Sequence, residues 1–369
     1  MVSEMAGLMG VTFTTINDSL PMVSALVDNF VTHGRTSDAF IVIIGDAKTP
    51  SQERALRYAE GRGVSCHYMD LGRQEDFLEP FSMVASAIPV NSDNRRNVGY
   101  LKAAQLGADI IVSTDDDNFP ILEEDFYGRH QEAIGRRWVS MATSTTGWVN
   151  PYDFLRFNVM DPVYARGFPL SKRDGHSLTI DQQEAVIGLN MGLLLGDPDV
   201  NSFTHLDRRI QIIGTKEFKS AIAVGKGTMT TINSQNTCLH RGLLPSYYYV
   251  RMTHEMDRYG DIWQGFFAKK CADAVGECVS FGGPLVLHKR NSHNYLADMR
   301  KELQGIIINE RLVEFLAQLD LKAKSYADAY TQLADELPTC PWGDSRIQEY
   351  WTEVAKTMRF WVDACEKLL

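Results

Sequence analysis

The chain has 369 residues, of which 44% are hydrophobic and 23% charged, a composition typical of a globular protein and unlike that of a disordered one. Its formal net charge of −10 argues against a nucleic-acid partner, because proteins of that class usually present a basic face. No apolar run approaches the ~18 residues of a membrane span, and the amino terminus lacks the basic and apolar regions of a leader, so we expect a soluble cytoplasmic protein. The six cysteines form no CxxC pair, which favours free thiols over a zinc site.

The first third of the chain alternates strand-like and helix-like segments. Apolar runs predict strands at 11–16, 40–44, 64–69 and 110–112, and helical spacing predicts helices at 20–32, 51–61 and 96–106. This βαβαβ order predicts an α/β fold with a mostly parallel sheet, flanking helices and a nucleotide-binding half.

Beyond about residue 138 the pattern changes, and we expect shorter strands with glycine-rich connections at 167–175, 188–196 and 225–227. From 295 onward apolar residues recur at helical spacing, interrupted by Pro338, Pro341 and Gly343. We therefore divide the chain into a catalytic domain, 1–294, and a carboxyl-terminal helical region, 295–369.

Three consecutive aspartates, Asp115, Asp116 and Asp117, follow the apolar strand at 110–112. The carboxyl ends of such strands are where open α/β sheets bind ligands. In extended backbone, Asp115 and Asp117 would share one face and Asp116 would point away. Two hard oxygen ligands on one face suit Mg²⁺ or Mn²⁺, and such an ion suits a diphosphate. The alternative interpretation of the acidic run is a solvated turn or a helix cap.

Polar residues also follow the first two strands, at the same predicted rim of the sheet. Thr14, Thr15 and Asn17 belong to the end of the first strand, and Asp46 follows the second. Their hydroxyl and amide groups could bind a base or ribose, with Asp46 accepting from base or sugar hydroxyls. The same residue types are favoured helix caps, which is the alternative explanation.

The helix that precedes the acidic strand begins with RRNVGY, residues 95–100. We predict that Arg96 meets a phosphate. Asn97 and Gly99 would allow close approach at a helix amino terminus, where backbone N–H groups favour anions. Arg95 and Arg96 could instead be solvated surface charges.

Three later segments offer further candidates. Arg166 lies in a loop rich in glycine and aromatic residues, and such loops often hold functional side chains. Asp261 and Trp263 offer a carboxylate and an aromatic platform suited to a sugar. His288 ends an apolar strand-like run, where its imidazole could complete a metal site with Asp117. A structural ion pair for Arg166 and a structural role for His288 remain alternatives.

Together, these motifs resemble the reversibly glycosylated polypeptides, known also as UDP-arabinopyranose mutases. The resemblance continues through the helical tail, including FWVDACEKL at 360–368. The amino-terminal third, with IGDAKTP at 44–50, is similar to the STELLO-type glycosyltransferase-like proteins. Both resemblances imply a GT-A-type fold. The motifs that carry the first one are STDDDN (113–118), ARGFPLSKRDG (165–175), GKGT (225–228), RYGDIWQGFFAKK (258–270) and GPLVLHKRN (283–291).

The resemblance implies a mutase that uses Mn²⁺ or Mg²⁺ to interconvert the pyranose and furanose forms of a UDP-sugar, for cell-wall polysaccharide biosynthesis. GDP- and CDP-sugars remain open. In this hypothesis Arg166 clamps the diphosphate, while Asp261 and Trp263 hold the sugar. The family carries an arginine, associated with self-glycosylation, shortly before the position of Arg166, and either Asp153 or Arg156 could occupy its place here.

Two alternative functions remain. The first is a glycosyltransferase that moves the sugar to a separate acceptor, with Asp261 as the base. The second is a non-catalytic subunit that binds a nucleotide-sugar within a larger assembly. We also expect a homo-oligomer, with the helical tail as an assembly surface.

Overall fold

The computed structural model describes residues 7–175, 177–216, 221–254 and 256–369. Residues 1–6, on which the expectation about a leader partly rests, lie outside them. Within the described residues, helices flank a 12-stranded sheet, so the prediction of an α/β fold is confirmed. In the same part of the chain, no helix combines the length and apolarity needed to cross a bilayer.

The amino-terminal third forms the predicted βαβαβ unit. Strand β1 pairs in parallel with β2 and β4, and β2 pairs in parallel with β3. Every residue of β2 and β4 is buried, because helices or other strands cover both faces, and this explains their continuous apolar runs. The elements are β1 (Met9–Thr15), α1 (Leu20–Thr32), β2 (Ala39–Gly45), α2 (Glu53–Glu60), β3 (Ser65–Met69), α3 (Leu71–Leu78), α4 (Ser82–Ala85), α5 (Arg96–Gln105) and β4 (Ile110–Thr114).

The middle of the chain extends the same sheet with both antiparallel and parallel pairings. The elements are β5 (Asn118–Pro120), α6 (Phe126–Ala133), β6 (Gly135–Ser144), β7 (Trp148–Val149), β8 (Leu155–Phe157), β9 (Leu178–Gly196), α7 (Ser202–Asp207), β10 (Ile212–Thr215), β11 (Ile222–Val224), β12 (Met229–Thr230), β13 (Asn236–His240), α8 (Gly260–Val275) and β14 (Cys278–His288). The strand order is β3-β2-β1-β4-β13-β9-β6-β11-β14-β5, and β13 runs antiparallel to both β4 and β9. The sheet is therefore mixed: its amino-terminal part is parallel, as predicted, and farther along β6 pairs in parallel with β11 and β9 with β14 beside the antiparallel pairs.

The prediction of shorter strands is confirmed for β7, β8 and β10 to β13, but the predicted glycine-rich connection at 188–196 is wrong, because it lies within β9, a single strand of 19 residues. Its glycines serve close packing instead of a turn. A Cβ at Gly188 would lie 2.7 Å from the hydroxyl of Tyr326, and one at Gly192 would lie 2.5 Å from the carbonyl oxygen of Pro284. Glycine inside a strand often marks such a close approach.

The carboxyl-terminal region consists of α9 (Tyr295–Gln318), α10 (Tyr326–Glu336) and α11 (Ser345–Glu366). Helix α9 begins where the side chain of Asn294 accepts a hydrogen bond from the Ala297 N–H, at the predicted boundary. These helices pack against α8, and one hydrophobic core continues from the sheet into them. The division into two domains stays a prediction.

The strand pairing brings distant parts of the sequence to one rim of the sheet. Strands β1, β2 and β4 run in parallel and so end at the same edge. Strand β14 pairs antiparallel with β5, and His288 lies opposite Asn118, the residue after Asp117. The end of β14 is thereby fixed beside the acidic turn.

Candidate functional site

A cavity of about 1100 Å³ opens at this rim of the sheet. Its wall combines the loops that follow β1, β2 and β4 with the start of α8 and the segment after β14. Most of the predicted site residues lie on this wall, namely Thr14, Thr15, Asn17, Asp46, Arg96, Asp115, Asp116, Asp117, Arg166, Asp261 and His288.

The three aspartates lie on a turn, because β4 ends at Thr114 and the chain does not stay extended. The Asn118 N–H donates to the carbonyl of Asp115, at 3.4 Å, which closes this turn. All three carboxylates line the cavity and each has different partners. The prediction that Asp116 points away from a face shared by Asp115 and Asp117 is therefore wrong.

Asp116 is held at the rim of the cavity by residues at the end of β1 and just after it. Its Oδ2 accepts from Thr15 Oγ1 at 2.6 Å and from Asn17 Nδ2 at 3.1 Å, and its Oδ1 accepts from Asn291 Nδ2 at 3.3 Å. Burial raises the pKa of the Asp116 carboxyl above its ordinary value, although these hydrogen bonds from Thr15 and Asn17 oppose the rise. Thr15 and Asn17 therefore position this carboxylate.

Asp46 holds a loop of the cavity wall. Its Oδ1 accepts from the backbone N–H of Ala47 at 2.7 Å and of Asn91 at 2.9 Å, and its Oδ2 accepts from the Ser92 N–H at 3.1 Å. Asp46 thus fixes Asn91 and Ser92, two residues that precede α5 and line the cavity. Sequence reasoning assigned Asp46 to ligand hydroxyls and missed this positioning role.

Asp115 forms an ion pair with the guanidinium of Arg96, which is itself buried. Nη1 of Arg96 also donates to Ser234, to the carbonyl at 2.9 Å and the hydroxyl at 2.9 Å. Arg96 is thus a partner of Asp115 and not an open ligand for phosphate. The Asp115 carboxylate therefore faces Arg96, whereas the Asp117 carboxylate faces His288.

Asp117 and His288 form the pair that the metal hypothesis requires. His288 Nε2 lies 3.6 Å from Asp117 Oδ2, and His288 Nδ1 donates to the carbonyl of Asp197 at 2.7 Å. Burial would lower the pKa of His288, but Asp117 and the Asp197 carbonyl raise it above its ordinary value. Nε2 therefore faces Asp117 as the nitrogen at which a cation would replace a proton. Burial would raise the pKa of Asp117, but His288 and the Asn291 N–H bring it below its ordinary value.

The predicted three-ligand set of Asp115, Asp117 and His288 does not form. Among the described residues, no group of three or more His, Cys, Asp or Glu side chains converges to hold a metal ion. Asp117 and His288 fit a divalent cation as two protein ligands. Mg²⁺ in particular is commonly held by one or two protein ligands together with substrate phosphates and water.

Arg166 is buried between two carboxylates. Its Nε and Nη2 donate to Asp199 at 2.7 and 3.1 Å, and its Nη1 and Nη2 donate to Asp261 at 3.2 and 2.8 Å. Its remaining N–H donates to the carbonyl of Arg258. Since an arginine has five N–H donors, all of them are used within the protein, and the prediction that Arg166 clamps a diphosphate is wrong.

The two carboxylates of this cluster differ in acidity. Burial would raise the pKa of Asp199, but Arg166 holds it well below its ordinary value. Burial raises the pKa of Asp261 despite Arg166, with Asp199 contributing to the rise. Asp261 also lines the cavity, which makes it the group suited to proton exchange with a ligand. Sequence reasoning missed Asp199, although its position in GDPD after the long apolar strand was a usable signal.

Three predicted site residues lie elsewhere. Trp263 is fully buried and donates from Nε1 to Asn309 at 3.2 Å, so it cannot offer a platform to a sugar. Asn97 is buried and uses its side-chain amide on the backbone of Tyr249, at 2.8 and 3.0 Å, so it cannot meet a phosphate. Arg156 is exposed on β8 and is not part of the cavity wall.

Arg290 is a cavity residue that the sequence interpretation missed. Its Nη1 donates to the carbonyl of Pro198 at 3.2 Å and to Nε2 of His205 at 3.0 Å, while its buried Nε has no hydrogen-bond partner among the described residues. Burial and the adjacent Arg290 lower the pKa of His205 to about 4, which keeps that imidazole a neutral acceptor. No carboxylate of the described chain lies within ion-pair distance of Arg290. The signal was present as HKRN, a basic run directly after the strand end.

Known proteins resemble this chain over most of its length. The family model described as reversibly glycosylated polypeptide matches residues 22–369. Probable UDP-arabinopyranose mutase 2 of Solanum tuberosum is 26% identical over 309 residues, covering 81% of this chain and 78% of that protein. UDP-arabinopyranose mutase 3 of Arabidopsis thaliana is also 26% identical over 309 residues, with the same shares.

A solved structure with a detectable likeness is glucosyl-3-phosphoglycerate synthase from Mycobacterium tuberculosis in complex with Mn²⁺ and UDP-glucose. It has a TM-score of 0.39 and 11% identity, and the match covers 82% of this chain and 79% of that one. At this level the likeness carries no argument about the site. The family match, by contrast, spans nearly the whole sequence, and the chain belongs to the reversibly glycosylated polypeptide family.

Proposed function

We propose that this chain is a divalent-metal-dependent mutase that interconverts the pyranose and furanose forms of a UDP-sugar, with UDP-arabinose as the expected substrate. The observation that carries the proposal is the Asp117–His288 pair, which faces the same cavity as Asp116, Asp261 and Arg290. The named relatives are UDP-arabinopyranose mutases at 26% identity, which supports the choice of substrate. A role of its product in cell-wall polysaccharide synthesis stays a prediction. A cytoplasmic location and a homo-oligomer stay predictions.

Asp117 and His288 would hold Mn²⁺ or Mg²⁺ at the diphosphate. Their fit rests on the hydrogen bond of His288 Nδ1 to the Asp197 carbonyl, which leaves Nε2 facing the Asp117 carboxylate 3.6 Å away. Such an ion supplies Lewis-acid stabilisation of the charge on the diphosphate, an effect worth several kcal/mol.

Arg290 would bind the diphosphate in place of Arg166. It lines the cavity, and among the described residues its guanidinium donates only to the Pro198 carbonyl and to His205, so no paired carboxylate neutralises its charge. A guanidinium with free donors suits phosphate oxygens geometrically. Thr14, Thr15, Asn17 and Asp116, at the end of β1 and on the acidic turn, would contact the nucleoside.

Asp261 would handle the proton that the ring exchange requires. When a pyranose becomes a furanose, the old ring oxygen leaves the anomeric carbon and gains a proton, while another sugar hydroxyl replaces it and loses one. The raised pKa of Asp261 suits a group that accepts one proton and returns it. The bond from the anomeric carbon to the diphosphate would break as the sugar hydroxyl attacks that carbon, and the diphosphate held by Arg290 would bond to it again as the old ring oxygen leaves. Holding these reactants together can be worth ~7–11 kcal/mol.

The test is incubation of the protein with Mn²⁺ and UDP-, GDP- and CDP-pyranoses, followed by chromatography and NMR for a furanose product. We expect product from the UDP-sugar, and its loss in Asp117→Asn and His288→Gln. Asp363→Asn, a change of an exposed carboxylate on α11, is the matched control and should behave as the wild type. Absence of furanose from every donor, or full activity of Asp117→Asn, would reject the proposal.

The size of the cavity favours a second candidate function. Its volume of about 1100 Å³ is above the ~300–1,000 Å³ of most small-molecule sites, which leaves room for an acceptor beside the nucleotide-sugar. A glycosyltransferase would then use Asp261 as the base. Sugar transfer to an added acceptor, with net release of UDP, would favour this function. Binding of the UDP-sugar without turnover would instead indicate a non-catalytic subunit.

A further inference from the structure

Arg258 has a backbone conformation that its residue type rarely adopts. Its φ of +68° lies in the left-handed region, which costs free energy for a residue with a Cβ. Such conformations persist only where surrounding contacts impose them, and they are common at functional sites. Arg258 lies on the cavity wall, two residues before α8.

The left-handed turn has two consequences for the neighbouring groups. It aims the carbonyl of Arg258 at the Arg166 guanidinium, where it accepts the N–H that neither Asp199 nor Asp261 uses. It also places the Arg258 side chain against the carboxyl-terminal helix α9, where Nε donates to Glu302 at 2.8 Å. Arg258 therefore connects α9 to the Arg166 cluster.

Glu302 is well anchored for this purpose. It is fully buried, and its second carboxylate oxygen accepts from the backbone N–H of Ser202 at 2.7 Å. Asp298, one turn earlier on α9, adds a weaker contact at 3.8 Å to Nη1 of Arg258. A buried carboxylate with both oxygens occupied cannot shift without losing these bonds, so it sets the place of the Arg258 side chain.

We propose that Glu302 and Arg258 are positioning residues that link the tail helix α9 to Arg166 and thereby orient Asp261 for the reaction. The chain of contacts runs from Glu302 to the Arg258 side chain, from the Arg258 carbonyl to Arg166, and from Arg166 to Asp261. The carboxyl-terminal region is thus a part of the catalytic site. The kinetic consequences of this inference rest on the proposed function.

The first test is the kinetics of Glu302→Gln with the UDP-sugar. Misplacement of a reacting group from a distance can cost up to about 100-fold in rate, so we expect kcat to fall by about 10- to 100-fold. KM should change by less than about threefold, because the nucleotide contacts lie at the other strand ends. Glu314→Gln, an exposed carboxylate of the same helix, is the control. An unchanged kcat, or a change confined to KM, would overturn the proposal.

A second variant separates positioning from general damage. Glycine adopts left-handed backbone without a penalty and brings no guanidinium that needs a counter-charge. The double variant Arg258→Gly/Glu302→Gln should therefore regain at least about threefold in kcat over Glu302→Gln alone. No gain would show that the ion pair does not act through the turn.

A third measurement is independent of the sugar reaction. In the chain of contacts described above, Arg258 and Arg166 lie between Glu302 and Asp261. When two residues belong to one network, the stability losses caused by their substitutions do not add. Urea unfolding should show a smaller midpoint shift for Glu302→Gln in an Asp261→Asn background than in the wild type. Additive shifts would overturn the linkage. If the wild type yields no furanose, the proposed function fails while this cycle still decides the linkage.

Discussion

Replacement of Arg166 by methionine probes the buried charge cluster most directly. The change keeps an unbranched side chain but removes the guanidinium that donates to both Asp199 and Asp261. The Arg166 side chain is 7% exposed and those of its partners are 4% and 7% exposed, so water cannot replace it freely. Two buried carboxylates would remain without their cation.

The expected loss of stability follows from this geometry. Removing one partner of a buried ion pair costs about 3–5 kcal/mol, because the other charge stays buried and unpaired. Arg166 serves two carboxylates, so we expect a loss at the upper end, about 5 kcal/mol at pH 7. Since domains are typically stable by about 5–15 kcal/mol, the variant should be close to unfolding.

The pH dependence of this loss has a defined sign. In the wild type the pKa of Asp199 is below its ordinary value, so its contribution is present above about pH 4 and is lost only as pH falls further. In the variant, burial without a cation raises the pKa of Asp199 and Asp261. Their penalty is then largest at pH 7 and is relieved as protons bind on the way to pH 5.

Urea unfolding followed by tryptophan fluorescence at pH 7 and pH 5 measures both effects. Arg300→Met, at an exposed position of α9, is the matched control. The triple variant Arg166→Met/Asp199→Asn/Asp261→Asn should recover part of the stability, because it removes the unpaired charges. A loss below about 1 kcal/mol, or a deficit that grows toward pH 5, would refute the reasoning.

Three further predictions address the corrected site. Trp263→Phe removes a hydrogen bond to Asn309 and leaves a small void, so the free energy of unfolding in urea should fall by about 1–3 kcal/mol. KM for the UDP-sugar should stay unchanged, and a raised KM would support the original sugar-binding role. Gly99→Ala should cost about 1–3 kcal/mol, because the new Cβ would clash with the hydroxyl of Thr12 and lie 3.1 Å from Cγ1 of Ile44. Retained UDP affinity would show that Gly99 serves helix packing. Arg290→Ala should weaken UDP binding by calorimetry by about 10- to 100-fold with little loss of stability, and unchanged affinity would remove Arg290 from the diphosphate site.

The rim of the sheet could be predicted from local sequence. Strands β2 and β4 are continuous apolar runs because both of their faces are covered, and their polar ends follow at once. The placement of Asp115, Asp116 and Asp117 at a cavity followed from that pattern alone. The antiparallel strands did not follow, because the glycines of β9 reflect contacts with Tyr326 and Pro284, which are distant in sequence.

Local sequence by itself thus determined the α/β class, the acidic rim and the helical tail, because burial periodicity and strand-end chemistry act between near neighbours in the chain. Only the tertiary structure decided what each charge does. Arg166 has partners 33 and 95 positions away, and Arg258 has one 44 positions away, so no local pattern could show that these donors are already occupied. The same long-range packing buries Trp263 and leaves Arg290 without a carboxylate partner among the described residues. The role of a polar side chain depends on which distant groups accept or donate its hydrogen bonds.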